Sequence, residues 1–172
     1  MHRIFVLAVL LMAAPATAKM VGAEAHGFEV RHSVVVHLSP LAAYRLLGEP
    51  SRWWSAKHSY SGKAANMTLA LKPGGCFCEA LPGGGVEHLR VAVAMPGERL
   101  VMTGALGPLL YEASAGVMDV TIVGNAEGGA TVTMDYKAAG FANGNGATLA
   151  PLVDGVLTEQ LDRFAKAASG KL

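Results

Sequence analysis

The last stretch of the chain constrains the fold more than any other. Ala147 to Ala168 reads ATLAPLVDGVLTEQLDRFAKAA, and Leu149, Leu152, Val153, Val156, Leu157, Leu161 and Phe164 recur at three- and four-residue spacing. That is the apolar stripe of an amphipathic helix. Asp154, Glu159, Asp162, Arg163 and Lys166 fall mostly off the stripe. At about 1.5 Å per residue such a helix spans roughly 30 Å, the width of a small domain. A long helix with one apolar face needs a layer to lie on.

The residues before it supply that layer. Phe28 to Leu38 alternates, with Phe28, His32, Val34, Val36 and Leu38 among the residues of one face and Glu29, Arg31, Ser33 and His37 on the other. This is a half-buried strand. Ser39-Pro40 is a helix start, an N-cap followed by proline at the first position. It opens a short helix over Leu41 to Leu47, stopped by Gly48 and Pro50. Ser51 is placed to cap a second short turn carrying Trp53 and Trp54. Further strands are predicted over Met67–Leu71, Cys76–Leu81, Val86–Met95, Arg99–Ala105, Val117–Val123 and Ala130–Ala139. Pro82 to Gly85, Pro96-Gly97 and Gly124 to Gly129 separate them, which is hairpin chemistry. Strands joined by short turns run antiparallel. The expected fold is therefore α+β. An antiparallel sheet of about six or seven strands carries two short helices after its first strand and is covered by the long C-terminal helix.

The opening segment has a different character. Met1 to Ala18 carries Arg3, an apolar run from Ile4 to Ala14, and Ala16-Thr17-Ala18. Those are the three parts of a signal peptide, with cleavage expected before Lys19. Lys19 to Gly27 then reads as a loose arm, and residues 28 to 170 as one domain. Of 14 Lys and Arg, removal of Arg3 leaves 13 against 13 Asp and Glu. A mature chain without net charge gives no electrostatic case for nucleic acid or an anionic membrane surface. The expected location is the periplasm or outside the cell, with no stable membrane insertion after cleavage.

The order of elements, and several local motifs, resemble a known superfamily. The motifs are Arg52-Trp53-Trp54-Ser55, His58-Ser59-Tyr60-Ser61-Gly62, Gly74-Gly75-Cys76-Phe77-Cys78-Glu79, Pro96-Gly97-Glu98-Arg99-Leu100, Thr103 to Leu109, and the ending Val156 to Phe164. Together they resemble the SRPBCC, or START-like, helix-grip superfamily. It includes polyketide cyclases, birch-allergen-like proteins and heat-shock ATPase activator homologues. The resemblance runs from Phe28 to Ala168. It implies a cavity between sheet and helix that holds a small hydrophobic or amphipathic molecule. It implies no particular activity, because the fold hosts enzymes, carriers and binders.

Candidate chemistry sits on one predicted hairpin. If Leu81 pairs with Val86, Glu79 faces His88 and Phe77 faces Arg90, at about 5 Å between partners. Glu79, His88 and Arg90 then share a face. Two readings are open: acid–base chemistry in a cavity, or a solvated ion-pair cluster on the outer face. A slip in the hairpin would break the cluster. Cys76 and Cys78 point to the opposite face, with Leu89, Val91 and Val93. Their Cα atoms are expected near ~6.5 Å apart, at the edge of disulfide geometry, so free thiols are favoured over a bridge. Cys-x-Cys is a poor metal signal, and no metal site is expected.

His32, on an apolar face, reads as a core histidine or a cavity residue. Trp53, Trp54, His58 and Tyr60 form an aromatic loop that suits a ligand entrance or a satellite core. Gly104 to Leu110, with Leu106, reads as a flap or a buried corner. With Val153 and Leu157 of the helix, these residues are the expected ligand contacts. No nucleophile elbow, phosphate loop or dinucleotide fingerprint is present, and no cofactor is expected. The leading expectation is a binder of a small hydrophobic molecule. The alternatives are a cyclase- or hydrolase-like enzyme using Glu79, His88 and Arg90, and a chaperone-like interaction module.

Overall fold

A computed structural model of the chain describes residues 17–172. The signal peptide expected over residues 1 to 18 lies, apart from its last two residues, outside the described residues. Eight strands form one antiparallel sheet. They are β1 (Thr17–Glu24), β2 (Gly27–Val36), β3 (Met67–Leu69), β4 (Cys76–Leu81), β5 (Gly84–Met95), β6 (Arg99–Thr103), β7 (Ala115–Gly124) and β8 (Ala130–Ala139). The two helices are α1 (Pro40–Leu47) and α2 (Gly146–Ala168). The order across the sheet is β1-β2-β8-β7-β6-β5-β4-β3. This is the expected α+β helix-grip architecture, an open curved sheet with α2 laid across it.

The extra strand comes from the stretch expected to be a loose arm. Lys19 to Glu24 belongs to β1, which turns at Ala25-His26 and pairs with β2 from Glu24↔Gly27 onward. The exposed edge of β2 provides the unmet N–H and C=O groups that recruit it. The same turn receives the start of α2: the Gly146 N–H donates to Ala25 O at 2.8 Å. A Cβ at Gly146 would lie 2.6 Å from Glu24 O, so only glycine lets the helix approach this closely.

Ser39 caps α1 as expected, with Pro40 at its start and its hydroxyl accepting the Ala42 N–H. The second turn is a 3₁₀ segment, Pro50–Arg52, without a side-chain cap from Ser51. Inward residues of β2, β8, β7 and β6 alternate as their sequences dictate, and Val30, Val120, Val132, Tyr136 and Leu100 are fully buried. Leu157, Leu161 and Phe164 of α2 close the core from the other side. Among the described residues no helix is long and apolar enough to cross a membrane.

A cavity beneath the first half of the terminal helix

The hairpin that carries the candidate chemistry is built differently from its expected register. Pro82-Gly83, with Gly83 at φ +77°, makes a two-residue turn of type II pattern. Leu81 therefore pairs with Gly84, and Glu79 with Val86 rather than His88. Farther along, Cys78 pairs with Glu87 but Phe77 pairs with Leu89. His88 is the extra residue of a β-bulge. A bulge bends its strand and re-aims the side chains beyond it. His88 and Leu89 both turn inward and are buried, and Arg90 is sent to the outer face.

The expected trio is thus divided. Glu79 and His88 meet inside, with His88 Nε2 3.1 Å from Glu79 Oε2. Arg90 lies half-exposed on the far side, where its Nε donates to Glu87 Oε1 at 3.1 Å and its Nη1 to Gly74 O at 2.9 Å. Leu89 and Val91 are also inward, not beside the cysteines. Cys76 and Cys78 share the outer face with Glu87 and Arg90, and they are joined by a disulfide. Their Cα atoms are 5.3 Å apart. The irregular register opposite His88 brings them closer than an even strand would.

Glu79 is buried and heavily bonded. Its carboxylate accepts the Tyr60 N–H at 3.0 Å and the Ser61 N–H, besides the His88 contact. Burial works to raise its pKa, but the hydrogen bonds from Ser61, Tyr60 and His88 outweigh it, and the net shift is downward. The carboxylate is therefore an acceptor only, and His88 must donate to it through Nε2–H. Burial lowers the pKa of His88 against the pull of Glu79. The imidazole is neutral, and its Nδ1 is a buried acceptor with no partner among the described residues. The His88 ring packs between Tyr60 and Phe77, with centroids at 5.8 and 5.4 Å.

His88 is part of the wall of a cavity of about 370 Å³. Trp54, Lys57, His58, Ser59 and Tyr60 form one side of it, Leu106 to Leu109 a second, and Leu149, Leu152, Val153 and Val156 of α2 a third. Of the eight expected contacts, Trp54, His58, Tyr60, Leu106 and Val153 line it. His32, Trp53 and Leu157 do not. His32 is fully buried beneath α2, its Nδ1 3.2 Å from Thr158 Oγ1 and its Nε2 3.3 Å from Asp154 Oδ1. Trp53 is a core residue whose ring meets Phe164 edge-on at 5.6 Å and whose Nε1–H donates to Leu46 O at 2.9 Å. Leu157 is fully buried in the core.

The walls are tied to the frame by polar bonds that the sequence pattern did not reveal. Gln160 sits on the apolar stripe of α2, fully buried, and its Oε1 accepts the Ser55 N–H at 2.7 Å. Arg163 Nε donates to Trp53 O at 2.9 Å, and His58 Nε2 lies 3.0 Å from Glu159 Oε2. On the other side Tyr136, fully buried, accepts the Leu106 N–H at 3.1 Å. Burial pushes the Tyr136 hydroxyl up to about 12, so it stays protonated. A Cβ at Gly116 would lie 2.6 Å from that hydroxyl, which explains the glycine beside it. A buried polar residue on an apolar face is a signal for such a role, and Gln160 carried it.

No family model and no curated protein sequence matches the chain. Solved structures do match. A Staphylococcus aureus protein of unknown function aligns at TM-score 0.58 and 15% identity, over 84% of this chain and 94% of that one. A Rhodobacter sphaeroides protein aligns at TM-score 0.56 and 15% identity, over 90% and 99%. DynU16, from the dynemicin biosynthetic locus, aligns at TM-score 0.57 and 17% identity; the match covers 82% of this chain and 47% of DynU16. At these identities the likeness establishes the fold.

Proposed function

We propose that this is an exported protein that binds one small apolar or amphipathic molecule beneath the N-terminal half of α2. The observation that carries the reading is the cavity of about 370 Å³, walled mostly by leucine, valine, proline and aromatic side chains. Ligand sites are concave, mostly apolar and largely pre-formed, with a few convergent polar groups. Here the polar groups are His88 in the wall and Lys57, His58, Ser59 and Tyr60 from the aromatic loop. The loops that hold the space open are bonded to Glu79, Gln160 and Tyr136, so collapse onto the helix would break buried hydrogen bonds.

Export rests on the tripartite segment ending at Ala18. Cleavage before Lys19 would keep the pairs of β1 with β2 from Lys19↔Arg31 onward. An exported fraction whose chain begins at Lys19 would support both export and cleavage; absence of the chain from that fraction would refute export, and an intact Met1 there would refute cleavage.

The binding reading is tested with Val153→Trp, which fills the cavity from the helix side. Native mass spectrometry of wild-type protein from its own host should show a bound small molecule, and the variant should lose it while keeping the wild-type circular dichroism spectrum. Equal uptake of an apolar dye by both proteins would place binding elsewhere and sink the reading.

One observation favours an enzymatic reading as well. A buried carboxylate hydrogen-bonded to a histidine of the cavity wall is a pairing that general-base sites use. In that reading Glu79 orients and His88 takes the proton, without Arg90, which lies on the other face. His88→Ala would then abolish turnover of a cavity-bound substrate, a loss far larger than any effect on its binding. Unchanged turnover would end it.

A further inference from the structure

The disulfide on the outer face of the sheet acts on the cavity on its inner face. This step rests on the binding reading above. Cys76 and Cys78 stand on either side of Phe77 in β4, partly exposed beside Glu87 and Arg90. Their bridge joins two positions of one strand and ties no element to another. It shortens the strand instead. An even strand advances about 3.3 Å per residue, which sets alternate Cα atoms roughly 6.6 Å apart; here they are 5.3 Å apart. The shortened step lies opposite the β-bulge, where Cys78 pairs with Glu87 and Phe77 with Leu89. With β4 held short, the extra residue of β5 cannot be taken up by lengthening its neighbour, and His88 stays turned inward. Phe77 passes the same constraint to the cavity wall. Its buried ring meets Trp54 at 5.1 Å and His88 at 5.4 Å between centroids, and both of those residues line the cavity.

We propose that the Cys76–Cys78 disulfide is a redox control on ligand binding: the bridged chain holds the ligand, and reduction by a dithiol loosens the wall at Phe77 and His88 and releases it. One thiolate of the reductant attacks a sulfur of the bridge and displaces the other cysteine as a thiolate, which takes up a proton. The second thiol of the reductant then attacks the mixed disulfide and displaces the first cysteine. Two electrons and two protons reach β4, and the reductant leaves as a disulfide. Cys76 and Cys78 lie on the face away from the cavity and act on the ligand only through Phe77 and His88; they are positioning residues. Coupling of this kind is reciprocal, so a ligand that prefers the bridged form makes the bridge harder to reduce by the same factor.

The test uses the full mature chain, the apolar dye N-phenyl-1-naphthylamine and dithiothreitol. Reduced wild type should bind the dye at least about fivefold more weakly than the oxidised chain, the lower end of ordinary coupling between two sites. Its circular dichroism spectrum should not change, and reoxidation should restore the affinity. Cys76→Ser combined with Cys78→Ser should bind like reduced wild type and ignore the reductant. In glutathione buffers of graded thiol-to-disulfide ratio, saturating dye should shift the midpoint of wild-type reduction toward more thiol by the same factor. A bridge with a purely structural role would show no such shift. Equal affinity in the two forms, or a midpoint indifferent to dye, overturns the redox control and leaves the cavity reading standing. Loss of the circular dichroism spectrum on reduction also overturns it, because the bridge would then hold the whole fold rather than the wall. If oxidised wild type does not bind the dye, or Val153→Trp binds it equally well, the cavity reading itself has failed and the control falls with it. The midpoint measurement decides the coupling even if the double variant does not fold.

Discussion

The two halves of α2 have the same kind of sequence and opposite surroundings. From Leu157 onward the stripe is sealed: Leu157, Gln160, Leu161 and Phe164 are fully buried, and Trp53 meets Phe164 edge-on. Before Leu157 the same spacing of Leu and Val borders empty space, and Leu152 is 65% exposed. The backbone differs in the same sense. Asn145, at the start of the helix, has no capping bond and gives its Nδ2–H to Glu112 Oε2 instead, at 2.7 Å. Pro151 removes one i to i−4 hydrogen bond, and Gly155 adds chain entropy. A cavity arises here because the facing loops are fastened elsewhere, not because the helix lacks apolar side chains. Gln160 and Arg163 of the sealed half hold the aromatic loop that frames the open half.

The largest effect should come from cutting into the sealed half. Phe164→Ala removes a fully buried ring that touches Trp53, and a loss of about 3–5 kcal/mol is expected. Denaturant unfolding should show a lower midpoint with an unchanged slope. A loss under about 1 kcal/mol would mean that this half is as loosely filled as the other.

Acid should act next, and in two stages. His88 beside the cavity and His32 under α2 both have pKa values below the ordinary 6.5, with burial the leading cause in each. The unfolded chain takes up those protons first, so stability is full above pH ~6.5 and falls as pH drops toward the folded values. Glu79 has a folded pKa below its ordinary 4.5. Its contribution is present above that value and is lost at lower pH, as the folded carboxyl titrates. Stability against pH should therefore decline in two stages, histidines first. His88→Phe should flatten part of the first stage; an unchanged profile would show that His88 is not held neutral.

The sequence speaks unevenly about these regions. The stripe from Leu149 to Phe164, the Ser39-Pro40 start and most of the strands were legible because each repeats a local period or uses a specific turn residue. The bulge at His88 was not. Alternation alone placed Arg90 with Glu79, and one extra residue in β5 sends it to the other face. The disulfide was missed for the same reason, since an even strand holds alternate Cα atoms near the upper limit of disulfide geometry and here they are 5.3 Å apart. β1 was hidden because its need for a partner lies in β2, far from any pattern of its own. Gln160 and Tyr136 act through long-range hydrogen bonds to loop N–H groups, whose partners leave no periodic trace even where a glutamine on an apolar stripe hints at one.

A smaller effect, of opposite sign, should come from mending the open half. An added Cβ at Gly155 meets nothing within 4 Å. Gly155→Ala should then raise stability by about 0.5–1 kcal/mol through helix propensity alone. No gain in the thermal midpoint would mean that this turn is not helical in solution.

The smallest effect distinguishes the halves most directly. Leu152→Ala deletes as many methylene and methyl groups as Leu161→Ala, on the same helix and the same stripe. Leu161 is fully buried and Leu152 is 65% exposed, so the first loss should be about 2–5 kcal/mol and the second within about 0.5 kcal/mol. Leu152 borders the cavity, however, and its removal should weaken retention of an apolar probe even though folding is untouched. A variant that is stable yet releases the probe faster would show that this side chain serves the ligand and not the core. A variant that loses stability as Leu161→Ala does would mean that the open half is closed in solution, and the contrast between the halves would vanish.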